Sequence, residues 1–82
     1  MASYNFNKGF RSGKFDIAID EAARYGYFEH EDLGDECGGG LWFEENEDGK
    51  LELYDQDGTS SLPASVAKGL RENGYIVPGE FN

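Results

Sequence analysis

Hydrophobic and polar positions alternate most cleanly between Leu41 and Tyr54. Leu41, Phe43, Leu51 and Leu53 fall on one face of a strand pair, and Trp42, Glu44, Glu52 and Tyr54 on the other, as a period of two requires. Between the two runs, Glu47-Asp48-Gly49 reads as a three-residue hairpin loop with glycine where the backbone turns left-handed. That loop sets Asn46 against Lys50, Glu44 against Glu52, Phe43 against Leu53 and Trp42 against Tyr54. The spacing thus predicts an acidic β-hairpin over 41–55. The aromatic pair favours it by roughly 0.2–1 kcal/mol, and the opposed glutamates disfavour it by a similar amount. A repulsive pair is tolerated when something positive meets that face.

The rest of the chain reads as packing for this hairpin. Phe15, Ala18, Ile19, Ala22 and Ala23 follow helical spacing, with Asp16, Asp20 and Glu21 early and Arg24 late, so a helix is predicted over 14–25 and Gly26 ends it. Residues 1–13 form an N-terminal arm whose Tyr4, Phe6 and Phe10 lie over the core edge, with a short strand at Ser3–Asn7. Tyr27–Gly40 reads as an acidic connector, anchored by Tyr27 and Phe28 with Leu33 dipping inward, and Gly38-Gly39-Gly40 as a flexible stretch. Ser60 or Ser61 caps a second helix over 62–73, with Pro63 in its first turn, a Leu62-Val66-Leu70 stripe and Asn73-Gly74 at its end. Residues 75–77 form a last strand beside the hairpin. The expected fold class is α+β, a single small domain over 1–82 in the order α-β-β-α-β, with two helices packed on one face of a short, mainly antiparallel sheet.

Charge sharpens the picture. The chain carries a net charge of −10. Twelve carboxylates fall at Glu29, Glu31, Asp32, Asp35, Glu36, Glu44, Glu45, Glu47, Asp48, Glu52, Asp55 and Asp57, opposed only by Lys50. Such a segment repels phosphate, so direct nucleic-acid binding is excluded and a basic protein surface or a cation is favoured. One cysteine permits no internal disulfide, no apolar run is long enough to span a membrane, and the opening residues show no signal-peptide pattern, so none is expected. The expected setting is cytoplasmic, as a monomer or weak homodimer.

Catalytic chemistry finds little support. His30 and Cys37 supply one ligand each where zinc needs several, and the acidic surroundings disfavour a thiolate. No triad has a setting, no catalytic residue is assigned and no cofactor is expected. Glu44, Asn46, Asp48, Lys50, Glu52 and Asp55 match the ligand spacing of a helix-flanked calcium loop with Gly49 at the turn, though the first position lacks Asp, the last lacks Glu, and strand-like sequence surrounds it. Trp42 and Tyr54 amid carboxylates either are covered as core by a helix or the N-terminal arm or, if exposed, make an apolar anchor for a partner. In length, charge and the carboxylates clustered between Glu29 and Asp57, the chain resembles small phage-encoded inhibitors, including anti-CRISPR and DNA-mimic proteins. That resemblance implies side chains standing in for phosphates in a basic channel. The expected function is a non-enzymatic inhibitor of a basic nucleic-acid-handling protein. The expected partner-binding residues are those twelve carboxylates with Trp42 and Tyr54. The alternatives are a small calcium-binding protein and a structural module that dimerises through Trp42.

Overall fold

The computed structural model describes residues 5–30, 34–58 and 61–81, with the backbone alone at 34–37. Five strands follow one another as a meander: β1 (Lys8–Ser12), β2 (Phe15–Asp20), β3 (Tyr25–His30), β4 (Gly34–Glu45) and β5 (Leu51–Gln56). They form one sheet in the order β1-β2-β3-β4-β5, every neighbouring pair antiparallel. A single helix among the described residues, α1 (Ala64–Glu72), covers one face. The protein is mainly β, which corrects the expected α+β fold with two helices.

The helix expected over 14–25 is β2 and the turn after it. Phe15, Ile17 and Ile19 alternate with Asp16, Ala18 and Asp20, and Ile17 and Ile19 are buried. The helical reading left Ile17 off its stripe, whereas period two buries both β-branched residues. The preceding Gly13 has φ +62° between the paired Ser12 and Phe15, which suits a two-residue hairpin with glycine first. Glu21–Arg24 then turns the chain, with Arg24 itself left-handed at φ +55°. The expected connector over 27–40 is largely strand as well. Gly26 and Phe28 point into the core, and Gly34–Gly40 continues into β4. Leu33 and the expected caps and strand residues Ser60, Ser3 and Tyr4 lie outside the described residues, while Asn5–Asn7 is not strand.

The hairpin turn follows the expected register. Asn46 donates its backbone N–H to the Lys50 carbonyl at 2.8 Å, Gly49 has φ +76°, and Glu44 faces Glu52. The register then slips by one between Phe43 and Trp42. Tyr54 is the extra residue of this bulge, so Trp42 faces Asp55 rather than Tyr54.

Leu62, Val66 and Leu70 are buried together with Ile17, Ile19, Phe28, Leu41, Phe43 and Leu53. α1 begins after Pro63, with no side-chain cap, and ends as a Schellman motif: Gly74 (φ +92°) donates to Arg71 O and Tyr75 to Leu70 O at 2.9 Å. Ile76 forms a parallel bridge to Glu52, trading backbone hydrogen bonds with Leu51 and Leu53 along the β5 edge. This short contact stands where a third strand was expected. Gly69 lets α1 approach β1, since a Cβ there would lie 2.6 Å from Ser12 Cβ. Gly69→Ala is therefore expected to destabilise by about 1–3 kcal/mol in urea denaturation, despite alanine's helix preference of about 1 kcal/mol.

Candidate functional site

The face of the sheet opposite α1 carries the side chains that alternate away from the core. β3 contributes Tyr25, Tyr27 and Glu29, and β4 contributes Trp42 and Glu44. Across the ladder, Asp16 faces Glu29, Ala18 faces Tyr27, Tyr25 faces Trp42, and Glu44 faces Glu52. The rings form a continuous row. Tyr25 and Trp42 meet edge-to-face at 5.4 Å, and Phe6 of the arm meets Tyr27 at 4.9 Å and Tyr25 at 6.1 Å. Such contacts contribute about 0.5–1.5 kcal/mol each beyond burial. Gly40 makes the row possible, because a Cβ there would lie 2.8 Å from the Trp42 ring and 3.1 Å from the Tyr25 hydroxyl.

Trp42 is half-buried rather than sealed inside. Its indole N–H has no hydrogen-bond partner among the described residues, and no buried side-chain nitrogen or oxygen there lacks one, so that N–H reaches solvent. Tyr54, the bulge residue of β5, is 53% exposed.

Carboxylates flank the ring row at both ends. Glu44 opposes Glu52 beyond Trp42, and Asp16 opposes Glu29 beyond Tyr27. Arg11 approaches Asp16 at 3.9 Å, whereas no ion pair engages Glu44 or Glu52 among the described residues. Other expected site residues are placed elsewhere. Glu45 pairs with Arg24 at 3.0 Å, Glu47 and Asp48 are exposed at the hairpin tip, and Asp57 accepts the Gly40 N–H at 2.8 Å. Glu31 and Asp32 lie outside the described residues, as do the side chains of Asp35, Glu36 and Cys37. His30 packs edge-on against Phe15 at 5.1 Å.

The segment matched to a calcium loop is strand–turn–strand, so the helices that such a loop needs are missing. Asn46 Oδ1 is engaged by the backbone N–H groups of Asp48 and Lys50. Among the described residues no group of three or more His, Cys, Asp or Glu side chains is arranged to hold a metal ion. No helix among them is long and apolar enough to cross a membrane.

Two titratable groups hold the arm and the tail against this scaffold. The buried Asp20 accepts backbone N–H groups from Asn5 at 2.6 Å and Ala23 at 3.1 Å. The Asn5 bond, then those from Ala23 and Ala22, holds its carboxyl below the ordinary value of 3.8 against the opposing effect of burial. A depressed carboxyl contributes stability above its unfolded pKa and loses it as pH falls through the folded one. Asp20→Asn, which turns an amide N–H toward a backbone donor, is thus expected to lower the thermal midpoint at pH 7. The gap from wild type should close as a melting series descends below about pH 4. At the other end, the Tyr75 hydroxyl donates to Glu21 at 3.0 Å, and Lys8 reaches the same carboxylate at 3.3 Å. Burial first, then the hydrogen bond and charge of Glu21, push the phenol above its ordinary range.

The outer face brings together Glu29, Trp42, Glu44 and Glu52 of the expected residues, and adds Phe6, Asp16, Tyr25 and Tyr27, which the sequence reading did not assign to a site. The available signal was the Tyr25-Gly26-Tyr27-Phe28 alternation, which puts two rings on one face. No protein-family model matches the chain, and no curated protein or solved structure matches it either.

Proposed function

We propose that the protein is a non-enzymatic binding module whose outer sheet face engages a basic, nucleic-acid-handling protein in the cytoplasm, its carboxylates occupying positions that phosphates would take, in the manner of a phage-encoded inhibitor. The observation that carries this reading is the row of partly exposed rings bounded by two directly opposed carboxylate pairs, Glu44–Glu52 and Asp16–Glu29. Opposed like charges cost folding free energy, so the isolated fold gains nothing from them. A cationic partner turns the same charges into attraction, with association that weakens as salt rises.

Stability and binding should therefore move in opposite directions. Glu52→Lys, which sets a cation against Glu44, is expected to raise unfolding free energy by about 0.5–1 kcal/mol. The same change, alone and with Glu44→Lys and Glu29→Lys, should progressively release whatever basic protein the wild type captures from bacterial lysate at low salt. The captured protein should bind duplex DNA, and added DNA should displace it. Equal capture by wild type and the triple reversal, or captured proteins with no nucleic-acid binding, would refute the reading.

A further inference from the structure

Resting on that reading, we propose that the outer face selects arginine over lysine in its partner, by stacking a guanidinium on the Trp42–Tyr25 rings while its fork bridges Glu44 and Glu52. Residues directly opposed on one sheet face hold their Cβ atoms about 4.5–5.5 Å apart, so both carboxylates can meet one guanidinium, whose planar five-donor fork bonds them bidentately while its face stays free to stack, which the strongly hydrated point charge of an ammonium does not match. Trp42 lies two residues from Glu44 on the same face of β4, about 7 Å away along the strand. A side chain whose head bridges the glutamates thus lays its stem or plane across the indole. Trp42 also meets Tyr25 edge-to-face at 5.4 Å, and it reaches solvent. Arginine gains from aromatic faces as well as from carboxylates, being weakly hydrated.

The second carboxylate pair extends the argument to a segment. With Tyr25 opposite Trp42, Glu29 and Glu44 stand at opposite ends of the ring row. They are about six residue steps, or roughly 20 Å, apart along the strand direction. An extended partner segment with arginines at about that spacing meets both pairs. The Glu44–Glu52 end dominates, because Arg11 already approaches Asp16.

The test uses the whole chain and two labelled peptides of about twelve residues, one repeating Arg-Gly-Ser and one Lys-Gly-Ser, so that length and charge match. Anisotropy at physiological salt should show the arginine peptide binding about tenfold more tightly, a preference of about 1.4 kcal/mol. Trp42, the single tryptophan, should change its emission with the arginine peptide alone. Trp42→Leu and, independently, Tyr25→Leu should bring the arginine peptide down to the lysine level. Glu44→Gln with Glu52→Gln should weaken both. Equal affinities with no change in Trp42 emission would overturn arginine selection and leave a generic basic partner standing. Failure of both peptides to bind would overturn the parent reading with it.

Discussion

Phe28→Ala is expected to lower the unfolding free energy by about 3–5 kcal/mol, the cost of emptying a large buried aromatic site. Phe28 is 0% exposed and is the bulkiest of the fully buried side chains. It meets Phe15 edge-to-face at 5.9 Å and lies against the backbone of Gly39, its partner across the β3–β4 ladder. A chain of this length holds on the order of 4–12 kcal/mol in total, so the variant should be marginal at room temperature. Urea denaturation should show the midpoint falling steeply or the folded baseline disappearing. Phe28→Leu, which keeps most of the volume, should retain a cooperative transition. A Phe28→Ala loss below about 1 kcal/mol would mean that this ring is not the centre of the core.

Gly39→Ala should be nearly as damaging, for a different reason. Glycine inside a strand ordinarily costs about 0.5–1 kcal/mol relative to alanine, so the substitution would help at an open position. At Gly39 a Cβ would overlap the Asp57 carbonyl oxygen and sit 2.9 Å from Phe28 Cζ. One obstacle is backbone and the other is a fully buried ring, so neither yields cheaply. A loss of about 3 kcal/mol is expected. The same strand end holds Gly40, bonded to Asp57 through both its N–H and its carbonyl, so the variant should also disturb the base of the Trp42 ring and shift its emission. Gly9→Ala is the matched control. Its Cβ would meet only the Ile17 carbonyl at 3.5 Å, and a neutral or slightly stabilising effect is expected there. Equal effects at the two positions would show that the close packing around Gly39 carries no weight.

These two substitutions mark where sequence reading loses its grip. Three consecutive glycines look the same whether they confer freedom or permit contact. Here Gly39 and Gly40 admit a carbonyl, a phenyl ring and an indole, and the first two come from residues distant in sequence. Phe15–Asp20 likewise fits two periods, and the choice between them rests on whether strands lie on both sides to receive it. β1 and β3 do. A helix over 14–25 and a connector after it give Asp16, Tyr25 and Tyr27 no face to share with Trp42, so half of the ring row is invisible to that reading. The Tyr54 bulge was equally hidden, since Leu51–Gln56 carries no local mark of an extra residue.

Local chemistry alone determined the hairpin loop, with its left-handed Gly49, the apolar face of Leu41, Phe43 and Leu53, the opposed Glu44 and Glu52, the Leu62-Val66-Leu70 stripe and the acidic middle of the chain. Each depends on neighbours a few residues away, where turn geometry and side-chain alternation act directly. Only the tertiary structure decided that β2 is a strand, that Trp42 faces Asp55, and that Phe6, Tyr25, Tyr27 and Trp42 form one surface between two carboxylate pairs. Those outcomes depend on pairing between strands distant in sequence, and backbone hydrogen bonding and burial there outweigh what any short segment prefers by itself.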